Sequence, residues 1–462
     1  MSFIINNFIQ YPRNLLLGFI NSGHKRSVKA RKNIIASLFI KGMSVVIGFL
    51  LVPITLEYLD QTRYGIWITV SSILSWFAFF ELGLGNGLRN KLATALAKKD
   101  YILGRHYVST TYAILTVVIS FVSLIFFVSN HLIDWTVVFN TGGRFGQELT
   151  TLTYIVFGFF FIRFVFELIG YILLADQRPA LSNLLKPTGS LISLVVIYIL
   201  TKTTPGSLVY IGLTLSASPL IIMIAASFYL YGTDYKRIAP SLKYVDLRYA
   251  KELLGLGLKF FLIQVAGLIM YSSSNFIIAQ FFGPAMVTPY HIAYRLFSLI
   301  SMLFMIVLTP YWSAFTEAWE KKEVTWIKTT VRRLLYLWGL ISAGGVLLLF
   351  LSPKVFRFWV GEQVEIPFYL SALLLIFFIS FTYGGIFNMF INGVGKIKLQ
   401  LILSLISALL FIPMCIFLIE VFNLGVEALV IASIACNING YVIAPLQYYK
   451  IINNKARGIW NK

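Results

Sequence analysis

Apolar residues run along this chain in long blocks separated by short polar breaks. Twelve blocks stand out: 33–56, 64–88, 107–129, 150–174, 180–201, 207–231, 252–280, 287–311, 333–352, 366–391, 399–420 and 424–449. A bilayer-crossing helix needs about 20 apolar residues, and these blocks have that length. Membrane strands alternate with period two over about ten residues, and these blocks do not alternate. The pattern therefore predicts an all-α polytopic membrane protein with about twelve transmembrane helices. The longest polar segments, 130–149, 232–251 and 312–333, run to roughly twenty residues each, too few to build a catalytic domain with its own core.

Composition agrees: 58% of residues are hydrophobic, 12% are charged and the mean hydropathy is +0.82. A soluble domain carries roughly twice that charged fraction. Both cysteines, Cys415 and Cys436, lie inside apolar blocks and read as packing residues. The four histidines are scattered without ligand spacing, and neither a Ser-His-Asp, a zinc nor a P-loop pattern is written here. The sequence is thus read as a non-enzyme, without metal or organic cofactor. The first residues lack a compact apolar core followed by a small-residue cleavage site, so no cleavable signal is expected.

A net charge of +20 would suggest nucleic acid if it were spread over one face. Its placement argues otherwise. With the N-terminus in the cytosol, 28 of the 38 basic residues fall on the cytosolic side, five on the outer side and five within spans. That asymmetry predicts cytosolic N- and C-termini. Most of the charge then faces anionic lipid, and no nucleic-acid partner is expected.

The order of features occurs twice. Lys41–Gly48 resembles Lys259–Ala266, Leu59–Tyr64 answers Phe282–Val287, and Ala175–Arg178 answers Gly393–Lys396. The expected organisation is a basic cytosolic segment 1–32, a six-span lobe 33–231, a linker 232–251, a second six-span lobe 252–449 and a basic C-tail 450–462. Halves with an even number of spans are related by an axis along the membrane normal, a parallel repeat known in transporters. Two such lobes leave a cleft that can open to either side, which points to transport.

Ionisable residues inside spans are costly and tend to face a bundle interior or a polar cavity. By helical rise, Lys41 and Glu81 lie about 12 and 13 Å from the inner ends of adjacent spans. They read either as a buried ion pair or as cleft groups, with Lys41 meeting an anion that Glu81 otherwise neutralises. Lys259 sits at the matching depth in span 7. Arg295, about 12 Å below the outer surface, shares a stripe with His291 and Ser298 and is the foremost substrate candidate. Arg163 has Glu167 one turn on, which permits an intrahelical pair, and Lys186 reads as snorkelling to the interface. Candidate substrate-binding residues are therefore Arg295, Lys41, Lys259 and Arg163. Glu81 and Glu167 are the candidates for coupling or gating.

Tyr64-Gly65-Ile66-Trp67 after a short outer link, Glu81-Leu82-Gly83-Leu84-Gly85 before the basic patch Arg89–Lys99, and Phe282-Gly283-Pro284 resemble the Wzx-type O-antigen and polysaccharide repeat-unit flippases. These belong to the multidrug/oligosaccharidyl-lipid/polysaccharide exporter superfamily and have a MATE-like fold. The resemblance covers about residues 30–450. It implies a bacterial plasma-membrane protein that moves an undecaprenyl-diphosphate-linked oligosaccharide to the outer leaflet by alternating access. A basic cavity would take the diphosphate. Nothing in the sequence encodes ATP use, so the expected drive is an ion gradient, of H+ or Na+, or consumption of the product outside, with polysaccharide-assembly proteins as candidate partners. Two rivals are a cation-coupled multidrug antiporter of the same fold and a membrane polysaccharide polymerase. Deep bases outnumber deep acids five to two, which favours an anionic substrate over a cationic drug.

Overall fold

The computed structural model describes residues 25–77, 84–253, 273–309 and 311–461. Among these the secondary structure is helical throughout, without a strand. The first half comprises α1 (Lys25–Tyr58), α2 (Gln61–Trp76), α3 (Leu84–Ala97), α4 (Tyr101–Ser129), α5 (Gly146–Phe166), α6 (Leu168–Ala175), α7 (Pro179–Thr203) and α8 (Leu208–Gly232). Three 3-10 turns and a helical stretch at 273–282 lead to α9 (Val287–Leu308), α10 (Tyr311–Glu320), α11 (Val324–Val360), α12 (Phe368–Gly393), α13 (Lys398–Glu420), α14 (Glu427–Cys436) and α15 (Ala444–Ile452).

Ten helices among the described residues are long and apolar enough to cross a membrane. The other two expected spans, 64–88 and 252–280, include residues outside the described set. The helix ends follow local chemistry. Asp60 accepts a hydrogen bond from the Arg63 backbone N–H at 2.8 Å and caps α2. Asp100 caps α4 in the same way through Leu103 at 2.9 Å. Each satisfies a backbone donor that the first turn leaves free.

Two boundaries differ from the sequence reading. Residues 25–32, expected in the N-terminal segment, are helical and continuous with the first span, since Lys, Arg and Ala are strong helix formers. The segment 312–333, expected as an inner loop, is largely α10 and the start of α11. Ile327, Thr330, Val331 and Leu334 are buried at helical spacing. Ile327, Val331 and Leu334 pack with Phe315 and Ala318 of α10 into a second apolar core. The 37 residues of α11 span about 55 Å at 1.5 Å per residue, well beyond the roughly 30 Å hydrocarbon core.

The two halves repeat one another's packing. A span followed by a short helix occurs as α2–α3 and again as α9–α10. The short helix lies on α6 in the first case and on α12 in the second. Likewise α4 packs on α5 as α11 packs on α12, and α7 on α8 as α13 on α14. The first turns of α2 pack against the 3-10 turn Pro284–Met286 that precedes α9. Gly283, at φ +83°, turns the chain into that second link in the left-handed region, which suits glycine.

The polar stretch after α8 is bound along α4. Arg105 Nε donates to the Ala239 carbonyl at 3.0 Å, and the His106 ring nitrogen lies 2.8 Å from the Tyr244 carbonyl. The Ser241 and Asp246 backbone N–H groups donate to Ser109 and Thr110 at 3.1 and 3.0 Å. Hydrogen bonds from Arg248 hold the Asp246 carboxyl down at about 2, so it stays anionic at any physiological pH. Lys91 Nζ then pairs with Glu252 at 2.7 Å.

Backbones approach closely where glycine allows it. A Cβ on Gly189 of α7 would lie 2.7 Å from Pro219 Cα of α8. Gly189→Ala is therefore expected to force the two helices apart, with an overpacking cost of about 1–3 kcal/mol. Thermal unfolding of the solubilised protein should show a lowered midpoint; an unchanged one would mean that α7 and α8 adjust without cost.

Candidate functional site

A polar cavity of about 310 Å³ lies between the two halves. From α2 it receives Ile68, Ser71, Ser72 and Ser75; from α9 it receives Tyr290, His291, Tyr294, Arg295 and Ser298; Asn275 completes it. Both sets follow helical spacing, so one face of each helix looks into the cavity. The serine hydroxyls donate to backbone carbonyls of their own helices, Ser71 to Trp67 at 2.9 Å and Ser72 to Ile68 at 3.0 Å. Their oxygens remain able to accept. Asn275 Nδ2 already uses one, donating to Ser72 Oγ at 2.9 Å across the halves.

Arg295 supplies the positive charge. It makes no ion pair among the described residues, and its Nε is buried without a protein acceptor. Its guanidinium carbon lies 5.6 Å from the centre of the Phe49 ring on α1. Phe49 is fixed from behind: it stacks on Trp359 at 4.7 Å, and the Trp359 indole N–H donates to the Phe49 carbonyl at 2.9 Å. Gly48 makes room, because a Cβ there would sit 2.0 Å from Arg295 Nη2. Arg295 thus reaches from α9 across to α1 and offers unpaired donors to the space between.

The end of the bundle carrying the two links is sealed over this cavity. Gln61 Nε2 donates to the Ala285 carbonyl at 3.1 Å, and Thr288 Oγ1 donates to the Gln61 carbonyl at 2.7 Å. Tyr64 Oη lies 3.3 Å from His291 Nδ1. Gly65 is packed so tightly on the second link that a Cβ would lie 1.7 Å from the Pro284 carbonyl oxygen. Beside it, Asn140 Nδ2 donates to the Gln280 carbonyl at 2.8 Å, and the Gln280 amide reaches the carbonyls of Val137 and Val138.

The other sequence candidates lie elsewhere. Lys41 lines a second cavity of about 380 Å³ within the first half, together with Glu167 and Lys186. Glu167 is paired with Arg163 at 3.4 Å on its own helix line and with Lys186 at 3.3 Å across from α7. Lys186, read as snorkelling, is thus tied to a carboxylate. Glu81 and Lys259 fall outside the described residues. Arg295 is brought together with His291 and Ser298, but not with Lys41. Sequence reasoning overlooked Asn275 and the serine face of α2. The signals were present as Ser71, Ser72 and Ser75 at helical spacing in an apolar run, and as the polar cluster Ser272-Ser273-Ser274-Asn275.

No metal-holding group of His, Cys, Asp and Glu occurs among the described residues. No family model matches the chain. A putative O-antigen export protein of Yersinia pseudotuberculosis is 22% identical over 368 residues, covering 77% of this chain and 81% of that protein. A putative O-antigen transporter of Salmonella typhi is 21% identical over 405 residues, covering 85% and 86%. Among solved structures, the inward-facing conformation of a multidrug resistance MATE transporter of the MOP superfamily superposes with a TM-score of 0.76. It has 16% identity and covers 92% of this chain and 100% of that one. The fold is MATE-like.

Proposed function

We infer that the chain, a member of the Wzx-type O-antigen exporter family, is a flippase that moves a lipid-linked oligosaccharide across a bacterial plasma membrane. The observation that carries this is Arg295: a cation in the cavity between the halves, with no carboxylate to neutralise it among the described residues. A cationic drug would be repelled there, whereas a diphosphate gains charge-assisted hydrogen bonds from a forked guanidinium. The serine and asparagine faces suit sugar hydroxyls, and the tyrosines offer rings against which sugars pack.

The two six-span lobes, at 33–231 and 252–449, rock about the cavity. With both termini in the cytosol, the basic end of the bundle is the loading side and the link end is the release side. In the state described, the release side is closed by the Gln61, Tyr64 and Gly65 contacts. The Gln61, Thr288 and Tyr64 contacts are neutral hydrogen bonds worth about 0.5–1.5 kcal/mol each, and Gly65 adds only close packing, so opening requires few bonds to break. The substrate is an undecaprenyl-diphosphate-linked repeat unit, and coupling to H+ or Na+ supplies the direction. Polysaccharide-assembly proteins would consume the product outside.

Deleting the protein should make lipid-linked repeat units accumulate on the cytosolic face, where an added outer-face glycosidase cannot reach them. Unpolymerised units accumulating on the outer face instead would assign the defect to a later, polymerising step and overturn the reading.

A further inference from the structure

The second cavity is not part of the route between the halves. It is lined by α1, α6, α7 and α8 of the first half, with Lys41 on α1, Glu167 at the α5–α6 break and Lys186 on α7. Its charges do not balance. Glu167 is shared by Arg163 at 3.4 Å and Lys186 at 3.3 Å, while Lys41 has no carboxylate partner among the described residues. Among the described residues, Arg163, Lys41 and Lys186 thus stand at or beside this cavity with one carboxylate, Glu167. Such an excess of positive charge around one cavity favours an anion beside it.

The position of the cluster indicates the anion. Lys41 lies eight residues past Asn33, where the first apolar block begins, about 12 Å in by helical rise. Lys186 lies seven residues past Pro179, the start of α7, about 10 Å in. Both starts are at the basic end of the bundle. The Lys186 side chain is 71% exposed, and Lys41 is exposed as well. From about 10–12 Å in, their long side chains reach back toward the level where lipid phosphates meet the hydrocarbon, and lysine binds phosphate as a compact point charge. Ser44 and Asn183 line the same space and add neutral polar atoms.

We propose that this cavity is a phosphate-recognition site, separate from the Arg295 cavity, in which Lys41 and Lys186 hold the phosphate of a lipid and Glu167 is the built-in counter-ion that the phosphate displaces. The phosphate comes either from a polyprenyl diphosphate or from a bilayer phospholipid, and the chemistry is the same. The proposal rests on the cavity and on the chain's spanning a membrane, and does not require the flippase reading.

The test uses full-length protein in phosphatidylcholine nanodiscs, all of it carrying Arg295→Ala so that the central cavity is silenced. Undecaprenyl diphosphate and phosphatidylglycerol are titrated separately and bound lipid is read by native mass spectrometry. Adding Lys41→Gln with Lys186→Gln should weaken binding about tenfold or more, as expected for loss of charge-assisted bonds. Adding Glu167→Gln alone should tighten it severalfold, because the competing carboxylate is gone. A merely structural role for the cluster predicts the opposite sign for Glu167→Gln. Weakening confined to undecaprenyl diphosphate supports the site and assigns it to the polyprenyl lipid; weakening for both supports it and assigns it to any phosphate headgroup. Unchanged binding of both lipids in the double lysine variant, or weaker binding in Glu167→Gln, overturns it.

Discussion

Replacing Arg295 with alanine should abolish surface glycan while leaving the amount of protein in the membrane unchanged. The two halves of that expectation have separate causes. Arg295 pairs with no carboxylate among the described residues, so its removal strands no counter-charge among them, and a stranded partner is what usually makes the loss of one ion-pair member destabilising. Its aromatic neighbour Phe49 remains stacked on Trp359. What is lost is the capture of an anion. Each charge-assisted hydrogen bond is worth about 1.5–3 kcal/mol, so losing even one lowers affinity by one to two orders of magnitude. Arg295→Lys keeps the charge but not the planar fork and should retain partial display. Immunoblots of membranes and glycan gels from the same cells check both statements. Normal glycan display in Arg295→Ala would remove this residue from the mechanism.

Gly65→Ala should also stop transport, for a geometric reason. The added Cβ would lie 1.7 Å from the Pro284 carbonyl oxygen and 2.7 Å from its carbon. Both are backbone atoms in a tight 3-10 turn and cannot swing aside. The closed link end therefore becomes inaccessible to the variant, and alternating access needs that state. A cysteine pair at Thr62 and Ala285, which line one pocket at this end, should cross-link readily in the parent and poorly with alanine at 65. Gly48→Ala makes an instructive contrast. Its Cβ would meet Arg295 Nη2 at 2.0 Å, but that atom is the far end of a flexible side chain. It should reduce export partially without affecting cross-linking at the links. Full export by Gly65→Ala would show that the link end need not close as described.

Much of the fold was legible because membrane solvent imposes a simple rule: a span must be apolar for its whole length. Ten of the expected runs correspond to membrane-length helices among the described residues. Extent beyond the bilayer was not legible. The amphipathic face Ile327–Leu334 alternates with charges, and only its packing on α10 explains why α11 begins so early. The site was legible in part. Depth along a helix singled out Arg295 and Lys41 as intramembrane cations. Depth does not specify direction around the helix axis, and so could not tell that the two residues line different cavities. The Glu167 cluster shows the same limit. Its i,i+4 contact with Arg163 is local and readable, whereas its contact with Lys186 depends on how α7 lies against the α5–α6 break.

The strapping of residues 236–252 along α4 has a consequence for how the halves stay together. A free stretch of that length would act as slack, and each doubling of a flexible tether costs about 0.6 kcal/mol in closure entropy. Bound by Arg105, His106, Thr110 and Lys91, it contributes almost none. Anchoring the chain as far as Glu252 shortens the tether that remains free and so raises the effective concentration of the second half relative to the first. The link-end hydrogen bonds are then freed from the task of keeping the lobes associated, and can be as weak as switching between two states requires.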